Sequence, residues 1–174
     1  FFYRFLIAYL GIWVISPKRL FAGNWKDELW LMAGGLFGGS LYFFTENTAL
    51  GITQASNVAF IICTAPLLTT ILSLLFYKSE KATKGLVYGS ILALIGVGLV
   101  VFNGSFVLKL SPVGDLLTLL AALSWAFYSL VIKKMTGRYP TVFITRKIFF
   151  YGVLTILPAF LLHPLQPDLD ILLK

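Results

Sequence analysis

Charged side chains are scarce in this sequence. Lys, Arg, Asp and Glu together make up 12% of its 174 residues, about half of the share found in a typical soluble domain. Apolar residues make up 59%, and they recur in stretches of about 20 residues, the length that spans a hydrocarbon core about 30 Å thick. The shortage of charge therefore excludes an ordinary soluble domain and predicts a protein that crosses a membrane several times.

Cysteine and histidine are nearly absent, with one residue of each, Cys63 and His163. A single cysteine excludes an intramolecular disulfide and a cysteine-based metal site. The sequence also has no paired-histidine motif, no Gly-x-Ser-x-Gly and no glycine-rich phosphate loop. No cytoplasmic stretch is long enough for a nucleotide-binding domain. We therefore expect no metal, no cofactor and no enzyme activity.

Apolar runs define six segments. Each is expected to be a helix, because backbone polar groups in lipid must be satisfied within the segment. The first segment is short, and the chain starts with Phe1 rather than Met, so we interpret the sequence as a piece of a longer chain. The segments are 1–16, 29–50, 55–77, 85–103, 112–132 and 141–162.

The net charge of +7 does not indicate nucleic-acid binding, because the basic residues lie in short clusters between the apolar segments. Loop two has no basic residue and loop four has Lys109 alone. By the positive-inside rule the odd-numbered loops are cytoplasmic, so segment one runs inward and segment six outward. The basic residues of the odd-numbered loops are Lys18, Arg19, Lys26, Lys78, Lys81, Lys84, Lys133, Lys134 and Arg138.

Glu46 is an ionisable residue inside an apolar segment. Such a residue costs about 2.5–3.5 kcal/mol on insertion scales and is a functional candidate by default. Gly35, Gly39, Tyr42 and Glu46 follow the spacing i, i+4, i+7, i+11, which places them on one helix face, and small residues four apart let another helix approach closely. We therefore predict that Glu46 points into the bundle, lines the path of a small membrane transporter and couples transport to a proton. The alternatives are a solvated carboxylate at the outer interface and a structural cap on a neighbouring helix.

Further candidates for substrate binding or coupling are Asn47, Arg4, Arg146, Pro66 and Trp125. Asn47 can bind a substrate or a neighbouring helix. The two arginines can contact substrate or pair with Glu46, or they can be snorkelling interfacial residues. Pro66 removes a backbone hydrogen bond and predicts a hinge or a simple kink. Trp125 faces the middle of the bundle or the lipid, where its default role is packing.

The chain contains a weak internal repeat. At one constant shift Arg4 aligns with Arg146 and Tyr9 with Tyr151. Segments one and six cross the membrane in opposite directions under the charge argument, and related segments of opposite direction are typical of inverted-topology repeats. The prediction is a ten-helix parent built from two inverted five-helix repeats, of which about six helices are present here.

Several stretches resemble the EamA-like family of the drug/metabolite transporter superfamily. The first is residues 42–57, Tyr-Phe-Phe-Thr-Glu-Asn-Thr-Ala-Leu-Gly-Ile-Thr-Gln-Ala-Ser-Asn, and the second is residues 64–68, Thr-Ala-Pro-Leu-Leu. Ser79-Glu-Lys before Gly85 and Leu94-Ile-Gly-Val-Gly-Leu-Val also match, and Gly114-Asp-Leu-Leu through Ala121-Ala-Leu-Ser-Trp-Ala-Phe-Tyr looks like the opening helix of a second repeat.

The resemblance implies an all-α polytopic transmembrane helix bundle, part of a ten-helix inverted-repeat (5+5) carrier. Residues 1–106 would be the first repeat without its opening helix, and 111–174 the start of the second. The implied function is a secondary transporter that exports small metabolites or drugs across the bacterial inner membrane by alternating access. The alternative is a non-transporting membrane sensor or assembly partner. The expected partners are a small-molecule substrate, the lipid bilayer and the remainder of the chain; a homodimer stays open.

Overall fold

The computed structural model describes residues 2–15, 17, 21–77, 83–102 and 111–162. All regular secondary structure in these ranges is helical. The elements are α1 (Phe2–Ile15), α2 (Trp25–Gly35), a π-helix (Leu36–Leu41), α3 (Tyr42–Ile52), α4 (Ala55–Ile62), α5 (Ala65–Phe76), α6 (Lys84–Phe102), α7 (Pro112–Thr136) and α8 (Thr141–Leu162).

The predicted segments correspond to these elements. Segment six has the predicted bounds, segment two is the continuous run α2–π–α3, and segment three is the pair α4–α5. Among the described residues, three stretches are long and apolar enough to cross a membrane by themselves, namely Ala55–Phe76, Pro112–Thr136 and Thr141–Pro158; Phe2–Ile15 and Val87–Leu99 are apolar but shorter. The prediction of an all-helical membrane bundle is confirmed. Lys18, Arg19, Lys78, Lys81, Lys109 and the segment ends 1, 16 and 103 lie outside the described residues.

Helix α7 lies at the centre of the described bundle and packs against α2, α3, α4 and α5. Its buried face consists largely of small residues, among them Ala121, Ala122, Ser124 and Ala126. Small side chains let the neighbouring backbones approach closely, which is how transmembrane helices gain contact in the absence of a hydrophobic driving force. Helix α8 packs against α1, α2 and the π-helix.

The π-helix corrects one prediction. The sequence predicted a stripe of Gly35, Gly39, Tyr42 and Glu46 on one helix face, from their i, i+4, i+7, i+11 spacing. The wider turn of the π-helix changes the angular position of every residue that follows it, so these residues do not all face the same neighbouring helix. A Cβ at Gly39 would lie 3.0 Å from the Gly152 Cα of α8, whereas the Tyr42 ring lies 5.1 Å from the Trp125 ring of α7. The glycines of the stripe therefore face α8, and Tyr42 faces α7.

Segment three is broken in the middle. Helix α4 ends at Ile62, Cys63 and Thr64 form a turn, and Pro66 lies in the first turn of α5. Proline has no N–H to donate within the helix. The Thr64 hydroxyl donates to the Ile61 carbonyl at 2.6 Å, which satisfies one backbone group at the break. Pro66 thus marks two separate helices rather than a mild kink.

The two ends of the bundle differ in charge. The first turn of α2, the last turn of α7 and the start of α8 meet at one end, which we call the basic end; the charge pattern predicts that it is cytoplasmic. The Ser111 hydroxyl donates to the Ile52 carbonyl at the opposite end, which we call the outer end.

Candidate functional site

The structure brings three of the predicted site residues together on the outer half of the bundle. The Tyr42 hydroxyl donates to Glu46 Oε1 at 3.0 Å, one turn along α3. The Tyr42 ring lies 5.1 Å from the Trp125 ring, which in turn lies 5.1 Å from the Tyr128 ring. We call Tyr42, Glu46, Trp125 and Tyr128 the Glu46 cluster. It places one carboxylate at the edge of an aromatic wall between α3 and α7.

The Glu46 side chain is partly buried. It lies about 9 Å below the outer end of α3, at a rise of 1.5 Å per residue. One carboxylate oxygen is occupied by the Tyr42 hydroxyl. The other can accept a proton, a cation or a hydrogen-bond donor that enters from the outer side.

Arg4 lies beside this cluster. Its guanidinium is 4.9 Å from the centroid of the Phe43 ring, and the Phe43 ring is 4.9 Å from that of Tyr42. A cation over an aromatic face is attracted by the ring quadrupole. Arg4 is exposed, so it adds a positive charge to the rim of the site.

The other predicted residues lie elsewhere. Asn47 is exposed, and its amide donates to the Phe43 carbonyl of its own helix at 2.6 Å. Pro66 lines a separate cavity of about 250 Å³ between α5 and α6. Arg146 lies below Gly35, which contacts Ile148, so it is at least roughly 15 Å from Glu46 along the bundle. The structure therefore places Arg146 and Glu46 at different heights in the bundle.

A buried polar group at the basic end was not predicted. Glu28 of α2 forms an ion pair with Lys147 of α8 and accepts a hydrogen bond from the Tyr151 hydroxyl. The backbone N–H of Ala22 donates to the second Glu28 oxygen at 2.7 Å. Each oxygen of the carboxylate thus has at least one partner, as a buried charge requires.

A second ion pair lies beside the first. Arg138 Nη1 donates to Asp27 Oδ1 at 2.8 Å, and the Tyr139 hydroxyl donates to Asp27 Oδ2 at 2.9 Å. Tyr139 also accepts a hydrogen bond from the N–H of Gly23 at 3.0 Å. We call these two groups the basic-end network. It connects α2 to α8 and to the loop after α7, so it closes the basic end of the three helices.

Two sequence signals pointed to this network. Asn24 followed by Asp27 has the spacing of a helix start, and Asn24 Oδ1 does accept the Asp27 N–H at 2.8 Å. Lys147 is an ionisable residue inside an apolar segment, which is the same signal that identified Glu46. What no local pattern shows is that Glu28 and Lys147 are partners.

A cavity of about 430 Å³ lies next to the network, between the segment before α2 and α8. Glu28 and Tyr151 form its polar floor, and Phe21 and Trp25 are among its apolar walls. Because Lys147 already neutralises Glu28, this floor has no uncompensated charge for a ligand. The outer-half cluster is therefore the better candidate site.

Comparison with known proteins identifies relatives. The model of the EamA-like transporter family matches residues 1–102. Two uncharacterized transporters of Archaeoglobus fulgidus are 29% identical over 161 residues and 28% identical over 167, which is 90% and 95% of this chain. The uncharacterized transporter YdfC of Bacillus subtilis is 33% identical over 142 residues, 79% of this chain. No solved structure shows a significant match.

The chain spans about half the length of these relatives, 55%, 55% and 44% respectively. The family match covers more than half of the chain and includes α1 to α6. Together with the apolar helices, it identifies an integral membrane protein. The chain belongs to the EamA-like transporter family.

Proposed function

We propose that the full-length protein is a secondary transporter that exports small metabolites or drugs across the cytoplasmic membrane by alternating access. The observation that supports it best is the Glu46 cluster: a partly buried carboxylate, hydrogen-bonded to Tyr42 and lying beside an aromatic wall. Aromatic rings bind apolar and cationic solutes without strict shape selection. The carboxylate supplies a group that can exchange a proton for a substrate.

The basic-end network supports the same proposal. Two ion pairs join α2 to α8 and to the loop after α7 at the end predicted to be cytoplasmic, while Glu46 lies in the outer half of the bundle. Alternating access requires that one side is closed while the other is accessible. This arrangement fits a state in which this part of the carrier is closed at its cytoplasmic end. In the opposite state the two ion pairs would have to open.

Flux measurements with the full-length protein test the proposal. In proteoliposomes with an imposed proton gradient, we expect Glu46→Gln to lower substrate flux at least about tenfold, the effect of losing about 1.4 kcal/mol from the coupled step. Tyr42→Phe should lower flux less, since it keeps the carboxylate. Thr48→Val is the matched control on the same helix, because the exposed Thr48 hydroxyl bonds to the Phe44 carbonyl of its own helix.

Two outcomes would contradict the proposal in different ways. Unchanged flux in Glu46→Gln would remove the coupling role of the carboxylate and leave transport itself standing. Absence of flux for every solute in a broad panel, with folded protein in the vesicles, would favour the alternative of a non-transporting membrane sensor or assembly partner.

A further inference from the structure

A second cleft lies at the basic end, on the side of α7 away from α8. It has a volume of about 320 Å³ and opens between α2 and α5, with α7 as its floor. Its walls are Trp30 and Phe37 on one side and Phe76 and Tyr77 on the other; Phe127 and Lys134 belong to the floor. We call this the Lys134 cleft. It shares no lining residue with the Glu46 cluster.

The cleft is apolar in its depth and cationic at its mouth. The Phe127 ring stacks on Phe37 at 5.4 Å and meets Phe76 edge-on at 6.2 Å. Lys134, two turns further along the same face of α7, lies about 10 Å nearer the basic end. Its ammonium is 3.8 Å from the centroid of the Trp30 ring.

Lys134 differs from three basic residues near it. Lys147 pairs with Glu28, Arg138 pairs with Asp27, and Lys133 donates to the Ser73 hydroxyl. Within the described ranges, no carboxylate pairs with Lys134. Its side chain is nevertheless partly buried in the cleft, and a partly desolvated ammonium favours a nearby anion. The cleft thus has an ammonium at its mouth, with no carboxylate of the described residues paired to it.

We propose that the Lys134 cleft binds one acidic phospholipid of the cytoplasmic leaflet, with the phosphate at Lys134 and an acyl chain against Phe37, Phe76 and Phe127. The anionic charge of that leaflet complements the ammonium, and basic pockets between transmembrane helices on the cytoplasmic side are known to hold acidic headgroups. The order of the lining residues, cation first and aromatic rings deeper, matches the order of headgroup and acyl chain. Trp30 and Tyr77 lie at the level where interfacial aromatic residues are enriched.

Native mass spectrometry of the full-length protein tests this site. Phosphatidylglycerol and phosphatidylcholine with identical acyl chains are titrated in separate experiments. Lys134→Ala should weaken phosphatidylglycerol binding about fivefold, the effect of removing one lysine–headgroup contact. Lys134→Arg, which keeps the charge, should stay within about twofold. Lys84→Ala is the matched control, because Lys84 is an exposed basic residue at the start of α6 that does not line the cleft.

Three results would overturn the proposal. Equal losses in Lys134→Ala and Lys84→Ala would show diffuse attraction to the surface rather than a site. Equal retention of the two lipids by the wild type would show an apolar groove with no anion preference. No change in Lys134→Ala would show that the cleft is covered in the full-length protein.

A second measurement does not depend on the stability of the lysine variants. Phosphatidylglycerol with brominated acyl chains should quench the fluorescence of Trp30 more than brominated phosphatidylcholine at the same mole fraction. The Trp30 contribution is obtained by subtracting the signal of Trp30→Phe. Equal quenching by the two lipids would count against the site, independently of any transport measurement.

Discussion

Glu28→Gln is expected to destabilise the full-length protein by about 3–5 kcal/mol, the usual cost of leaving one partner of a buried ion pair uncompensated. The side chains of Lys147 and Glu28 are 5% and 10% exposed, so the lysine would keep its charge in a largely buried position. The substitution also weakens the hydrogen bonds from Tyr151 and from the Ala22 N–H. The measurement is the apparent melting temperature in detergent, obtained from the fraction of protein that stays monodisperse after heating.

The neighbouring ion pair provides the control. Arg138 is 56% exposed at its side chain, and Asp27 keeps its hydrogen bonds from Tyr139 and Asn24 when the guanidinium is removed. Arg138→Gln should therefore cost less than about 1 kcal/mol. The double variant Glu28→Gln/Lys147→Gln should lose less than the sum of its single variants, since residues in one network do not add. An effect of Glu28→Gln no larger than that of Arg138→Gln would refute the prediction.

Gly35→Ala is expected to separate α2 from α8. A Cβ at this position would lie 2.4 Å from the Tyr151 Cβ, 2.9 Å from the Gly152 nitrogen and 3.0 Å from the Ile148 carbonyl oxygen. Two of these atoms belong to the backbone, so a side-chain rotation cannot relieve the overlap. We expect a loss of about 1–3 kcal/mol, typical of overpacking, which exceeds the gain of up to about 1 kcal/mol from replacing glycine in a helix.

Gly137→Ala is the matched control for this substitution. Gly137 follows α7 with φ −72° and ψ −10°, a conformation open to any residue, and no atom lies within 4 Å of its Cβ position. We expect the free energy of unfolding of this variant to differ from that of the wild type by no more than about 0.5 kcal/mol, the usual range for surface substitutions. Its melting temperature should therefore be close to that of the wild type. If Gly35→Ala were as stable as Gly137→Ala, the close contact between α2 and α8 would not exist in the protein.

The helical segments were predictable because the signal is local. Apolar runs of membrane length must be helical, and the bounds of segment six agree with α8. The break near Pro66 was also predictable, since proline lacks the N–H that a continuous helix needs. Of the site, the association of Tyr42 with Glu46 follows from their spacing of one turn, and the hydrogen bond between them is present.

Other features depended on contacts between distant residues. Glu28 and Tyr151 are 123 positions apart, and helical spacing relates only residues on the same helix. The prediction that residues share a helix face assumes 3.6 residues per turn throughout. The π-helix at Leu36–Leu41 departs from this value, so the residues after it face a different neighbour. Arg4 lies over the ring of Phe43 of another helix, a contact that no local spacing predicts, whereas Arg146, its match in the proposed inverted repeat, lies over Phe143 of its own helix.

By itself, the sequence determined the membrane environment, the approximate bounds of the apolar helical segments and the presence of a carboxylate within them, because these follow from local composition and backbone hydrogen bonding. The tertiary structure decided which charges neutralise each other and which stay available. Lys147 and Lys134 are both basic residues at one end of the bundle, but Lys147 reaches Glu28 and Lys134 reaches only the Trp30 ring among the described residues. That difference comes from packing, since it depends on which helix lies opposite each side chain.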